Sequence, residues 1–134
     1  MAAQALRVWS NEASEAEPGD CRPIDLVHLS RQTLGDRDLE MELLALFERQ
    51  AVQIMGQIDA IGGGSDRRSH HDLAHTLKGS ARAVGATAVA LMAQRYEDAL
   101  CRGGTNGELH NAAQALGCAV VKAVDAIQLL LRDR

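Results

Sequence analysis

From position 26 onward, apolar residues recur at spacings of three and four, and glycines punctuate the recurrence. Such spacing lays a stripe along one side of an α-helix. The longest early stripe is Leu39, Leu43, Phe47, Ala51, Ile54, Ile58 and Ile61. It predicts a helix that starts at Asp36 or Asp38 and is stopped by Gly62-Gly63-Gly64. Before it, Asp25 is placed to cap a short helix carrying Leu26 and Leu29, interrupted at Gly35. After the glycines, Ser65 or Asp66, or the weaker pair Ser69 and Asp72, opens a segment with Leu73, Leu77 and Val84 on one side. Gly85 ends or bends that segment. Thr87 is expected to cap the next, with Val89, Met92, Tyr96 and Leu100 in line before Gly103-Gly104. Thr105 and Glu108 have capping-box spacing and open the last helix. Its stripe is Leu109, Ala113, Leu116, Val120, Ala123, Ile127 and Leu130.

Four substantial amphipathic helices with short connections predict an all-α fold: an antiparallel up-and-down four-helix bundle over 23–134, with a short N-terminal helix covering one end. Composition agrees. The chain is 46% hydrophobic but 2% aromatic, its apolar content is mainly Ala, Leu, Val and Ile, and both prolines (Pro18, Pro23) lie near the N-terminus. Its 134 residues suit one domain. Residues 1–22 are expected to form a flexible acidic tail, because Asn11 to Asp20 has too little apolar area to offset ordering entropy. Trp9 is the residue there able to dock on something.

The formal net charge of −4 gives no general attraction to nucleic acid. Arg67, Arg68, Lys78 and Arg82 gather locally, which suits one functional anion or an acidic partner. The 3 cysteines (Cys21, Cys101, Cys118) are widely spaced and suggest neither a disulfide framework nor a zinc knuckle, which fits a reducing cytoplasm. No signal-like N-terminus stands out, and no apolar run is expected to approach a membrane span. The stripes can be satisfied inside one bundle, so a monomer is expected.

On the third helix His75, Lys78, Gly79 and Arg82 fall opposite Leu73, Leu77 and Val84. An imidazole facing water, with a cation one turn on and a bare backbone beside it, is open to a large partner and can carry an anionic group. Glycine inside a helix costs about 1 kcal/mol relative to alanine, and access to the imidazole is a reason for Gly79. Ser80 and Ala81 are small and lie toward the packed flank. His70 points to the packed side. His71 shares the face of His75, either tuning it or adding bystander polarity, while His28 and His110 have no supporting context.

The run Ala74-His75-x-Leu77-Lys78-Gly79-Ser80-Ala81, followed by Val84-Gly85-Ala86, resembles the histidine-containing phosphotransfer (HPt) domains of bacterial two-component phosphorelays. Similarity extends upstream to Leu34 through Leu39 and Leu44 through Phe47, and downstream to Leu91 and Tyr96-Glu97. It covers roughly residues 23–131, and the His75 segment is its specific part. The resemblance implies that His75 accepts a phosphoryl group on its outer ring nitrogen. It implies that the group moves between aspartates of receiver domains, in a hybrid histidine kinase or a response regulator. Lys78 would stabilise phosphoryl charge, Gly79 would give access and Arg82 would add positive potential. Glu97 would hydrogen-bond the ring or fix its tautomer, or remain a solvated charge. Such a chain is a phosphoryl carrier without ATP-dependent kinase activity of its own, needs no cofactor, and leaves Mg2+ to the receiver.

Other readings use the same residues. His71-Asp72-Leu73-Ala74-His75 approximates a helical metal-binding pair, but Asp is shorter than the Glu that would act as base, no clear third ligand follows, and Lys78 opposes a dication. No metal is therefore expected. A kinase dimerisation helix would put an acidic residue where Thr76 stands and a proline soon after. Gly62-Gly63-Gly64 also lacks the Lys-Ser/Thr of a nucleotide-binding loop. A plain helical interaction module is the remaining alternative.

Overall fold

The computed structural model describes residues 23–61 and 67–132. The expected tail over 1–22 with Trp9 and Cys21, the Gly62-Gly63-Gly64 stop and the Ser65 and Asp66 caps lie outside the described residues. Those described form α1 (Leu26–Thr33), α2 (Arg37–Ile61), α3 (Arg67–Val84), α4 (Thr87–Cys101) and α5 (Asn106–Arg132), with no strand among them.

Most helix ends follow from local chemistry. Asp25 Oδ1 accepts from the His28 amide at 3.1 Å and caps α1. Leu34, left-handed at φ 55°, and Gly35 at φ 80° end it together. Asp36, of the two candidates, caps α2, its Oδ1 accepting from the Leu39 amide at 3.1 Å. The capping box is reciprocal: Thr105 N donates to Glu108 Oε1 at 2.8 Å, and Glu108 N donates to Thr105 Oγ1 at 3.1 Å. Thr87 is not a cap. Ala86 holds the N-cap position of α4 without a side-chain bond, because the turn is set by backbone bonds, Ala86 N to Ala81 O at 2.8 Å and Ala90 N to Ala86 O at 3.0 Å. Ser69 and Asp72 lie within α3 rather than at its start.

Gly85 belongs to the same turn and has φ +81°; a Cβ there would meet Asp25 O at 2.7 Å. That closeness lets Asp25 N donate to Gly85 O at 2.8 Å, stitching α1 to the α3–α4 turn.

Helices α2, α3, α4 and α5 each pack on the next, and α5 returns to α2, closing a four-membered ring, with α1 against α2 and α3. Cross-contacts run in opposite senses along α3 and α4, as in His70 with Tyr96 and Lys78 with Gln94, and along α2 and α5, as in Glu48 with Gln128 and Met55 with Gly117, so both pairs are antiparallel. Leu29, Leu44, Phe47, Leu77, Val89, Leu116 and Ile127 fill the core. Two expectations are corrected. Leu39 is 39% exposed, because it lies in the first turn of α2, beyond the packed part of the stripe. A stretch within α5 is long and apolar enough by length and composition to cross a membrane, with mean hydropathy 1.5. Here that helix turns Leu109, Leu116, Ala119, Val120, Ala123 and Ile127 into the bundle core.

Candidate functional site

The buried residues of α3 are His70, Ala74, Leu77, Lys78, Ala81 and Val84. Lys78 is therefore not on the solvent face, as its position opposite Leu73, Leu77 and Val84 implied. It sits about 100° around the helix from Leu77, on the flank where α4 packs, and only 9% of it is exposed. A buried ammonium needs a counter-charge and acceptors. Its Nζ lies 2.7 Å from Glu97 Oε1 and donates to Gln94 Oε1 at 2.9 Å, while Gln94 Nε2 donates to Asp98 Oδ1 at 2.9 Å.

His75 lies outside this layer, its side chain 65% exposed. Its Nδ1 is 2.9 Å from Glu97 Oε2. Burial alone pushes the Glu97 carboxyl up. The hydrogen bonds from Lys78 and His75, with their charges, outweigh burial and hold it below its ordinary value of 4.5. An ionised carboxylate only accepts, so Nδ1 of His75 carries the proton. In neutral His75 the lone pair is then on Nε2. Glu97 is thus a nearly buried acceptor joining His75 to Lys78, not a solvated charge.

His71 joins the same carboxylate. Its Nε2 is 3.3 Å from Glu97 Oε2, and its ring lies nearly parallel to that of His75, at 7° with centroids 6.3 Å apart. Its Nδ1 faces Asp72 Oδ1 at 3.8 Å. His70 forms the floor, with Nδ1 2.8 Å from the Tyr96 hydroxyl. Burial raises the Tyr96 pKa, with Asp59 adding to the rise and Arg67 opposing it.

A Cβ on Gly79 would meet nothing within 4 Å, so the space beside the imidazole is open. Ser80 is half-buried and Arg82 exposed. The four basic residues that gather in the sequence do not form one anion site. Arg67 donates to the Gly104 carbonyl at 2.9 Å at the α4–α5 turn, Lys78 is in the carboxylate network, and Arg67 and Arg82 are separated by about 22 Å of helix. No three His, Cys, Asp or Glu side chains among the described residues are arranged to hold a metal ion. The other oxygen of Glu97 is taken by Lys78.

Gln94 and Asp98 were not singled out from sequence. The signal was their register: Gln94 and Glu97, three apart on α4, meet Lys78 and His75, three apart on α3. A further depression, about 500 Å³, lies between α2 and α5, lined by Val52, Met55, Ala113, Gly117, Cys118 and Val121, with Asp59 and His110 also lining it. Burial raises the Cys118 thiol pKa, with Lys122 opposing the rise.

Residues 42–131 match the model of the Hpt domain family. The X-ray structure of a rice protein described as a histidine-containing phosphotransfer protein is similar in fold: TM-score 0.73 at 18% identity, covering 98% of this chain and 95% of that one. Comparison with curated proteins gave no match.

Proposed function

Since the chain belongs to the Hpt domain family, we propose that it is a relay intermediate of bacterial two-component type, carrying a phosphoryl group on His75 between receiver-domain aspartates. The observation that carries this reading is the exposed His75 ring, tied by Nδ1 to Glu97 at 2.9 Å and so left with a nucleophilic Nε2.

In the accepting step, the Nε2 lone pair attacks the phosphorus of an aspartyl phosphate. The N–P bond forms, the P–O bond breaks, and the departing carboxylate keeps that electron pair. The ring keeps its Nδ1 proton and becomes a phosphoimidazolium, whose positive charge faces Glu97. In the donating step, a second aspartate attacks the phosphorus. The N–P electrons return to Nε2 and leave a neutral ring with the same Nδ1 proton. No proton need leave or arrive, so one fixed carboxylate serves both directions. At rest the Lys78 ammonium holds Glu97 and Gln94, so Lys78 acts first by fixing the carboxylate and adds positive charge near the incoming phosphoryl group. Gly79 leaves room for the partner, while Arg82 and Ser80 border the approach.

The partners are receiver domains of a hybrid kinase or response regulator, met one at a time through a modest, transient interface. Exposed Thr76, Gly79 and Leu91 on α3 and α4 belong to that surface. Mg2+ would be supplied by the receiver, and the chain would act as a cytoplasmic monomer. The test is incubation with a receiver carrying labelled phosphate. Acid-labile label should move onto this chain, and His75→Gln should abolish the transfer with helical content intact. Continued transfer by that variant would remove His75 as the acceptor.

A further inference from the structure

We propose that His71 is a positioning residue for the reaction at His75, acting through the carboxylate of Glu97. The proposal rests on the phosphoacceptor reading above for its consequence, though not for its geometry.

Glu97 is held from several directions. Lys78 Nζ is on Oε1 at 2.7 Å, while Oε2 is shared by His75 Nδ1 at 2.9 Å and His71 Nε2 at 3.3 Å. Both imidazoles approach an oxygen that only accepts, His75 Nδ1 through a hydrogen bond and His71 Nε2 through a longer polar contact. The nitrogens that face it are opposite ones: Nδ1 in His75 and Nε2 in His71. The spacing of four residues explains how one oxygen serves both, because i and i+4 side chains stack along a helix. The near-parallel rings, 7° apart, are the result.

A glutamate side chain has three torsions, and Lys78 fixes only Oε1. A carboxylate held by one oxygen still turns about its terminal bond, which is a soft torsion. The edge of the His71 ring, with Nε2 3.3 Å from Oε2, opposes that turn and keeps Oε2 on Nδ1 of His75. The His71 side chain is 35% exposed against 65% for His75, so it stands between the buried carboxylate and water. His71 thus favours the tautomer of His75 whose Nε2 lone pair faces the partner. Without it the ring would relax toward the mixture of tautomers of a free imidazole.

The test is nitrogen-15 NMR of the ring nitrogens in unphosphorylated protein at a pH where His75 is neutral, with transfer rates measured in parallel. In the parent protein His75 should be mainly the Nδ1–H tautomer. His71→Ala should shift it toward Nε2–H and slow acceptance from a phosphorylated receiver by about twofold, the scale of one partly exposed polar contact. His71→Gln places an amide N–H near the former Nε2 and should restore both. Unchanged tautomer populations in His71→Ala would overturn the proposal, as would failure of His71→Gln to restore them in a variant with native helical content. The NMR readout involves no phosphate, so it stands apart from the His75→Gln experiment. Transfer by His75→Gln would end the relay reading and leave the positioning result intact.

Discussion

The α3–α4 seam and the α2–α5 seam lie on opposite sides of one ring of helices, yet they hold different chemistry. The first is a layered polar network: His70 and Tyr96 beneath, Lys78 and Glu97 in the middle, His71 and His75 toward solvent. The second is an apolar depression bounded by Val52, Met55, Gly117 and Cys118. Hydrophobic packing alone is enough to close a bundle seam. A seam that buries an ion pair gives up some of that packing, because the desolvation of both charges must be offset by geometry. The difference teaches where to look for function: the seam with the costly polar interior is the one that ends in an exposed imidazole, His75.

The sharpest way to separate stability from function is to damage the core that both seams share. Leu116→Ala empties a fully buried site and should lower unfolding free energy by about 3 kcal/mol, measured by denaturant titration. The His75 tautomer in the still-folded fraction should be unchanged; a large shift would mean that the two seams are not independent.

Next in size is Glu97→Gln. It leaves the Lys78 ammonium without its counter-charge, though Gln94 still accepts from it, so destabilisation should be about 2 kcal/mol, somewhat below that for breaking a fully buried pair. It also takes away the negative charge facing the phosphoimidazolium, and transfer should slow by about tenfold or more. A variant with unaltered transfer would remove Glu97 from the mechanism. The same carboxylate sets an acid limit. Its folded pKa lies below 4.5, so its contribution to stability is complete above that value and fades as the pH falls through the lowered one. Acid unfolding of the parent, compared with Glu97→Gln, should show this added loss below pH 4.5 only in the parent.

Gly79→Ala should raise stability by about 1 kcal/mol, since its methyl meets nothing within 4 Å in the free protein. Gly79→Leu should slow transfer from a receiver while sparing phosphorylation by a small donor such as phosphoramidate. Equal loss with both donors would show that the glycine does more than admit the partner. Smallest of all, Val52→Lys on the apolar seam should change stability by no more than about 0.5 kcal/mol and leave transfer untouched, because Val52 is 55% exposed. Slowed transfer in that variant would bring the α2–α5 seam into the reaction and break the contrast.

The helices were legible in the chain because each carries a periodic stripe and, among the described residues, three of the five helix starts carry a side-chain cap. Thr87 misled because the α4 start is fixed by backbone bonds around Gly85, which leave no side-chain signature. Leu39 misled because a stripe does not say where its neighbours stop. His75 and Gly79 were legible as exposed residues on one face. Lys78 was misplaced because a helical wheel sorts residues into two sides, whereas packing by α4 creates a third, the flank. The resemblance put Glu97 near the His75 ring, and only the pairing of two helices showed that Gln94 and His71 meet there too.

The pair beneath the site gives the molecule its own reporter. Tyr96 is the sole tyrosine of the chain, its hydroxyl is bonded to the residue preceding His71, and its backbone adjoins Glu97. A tyrosine-selective spectrum therefore registers a single phenol at the base of the candidate site. Under the proposed relay, that chromophore would let the gain and loss of phosphate be followed without attaching any dye.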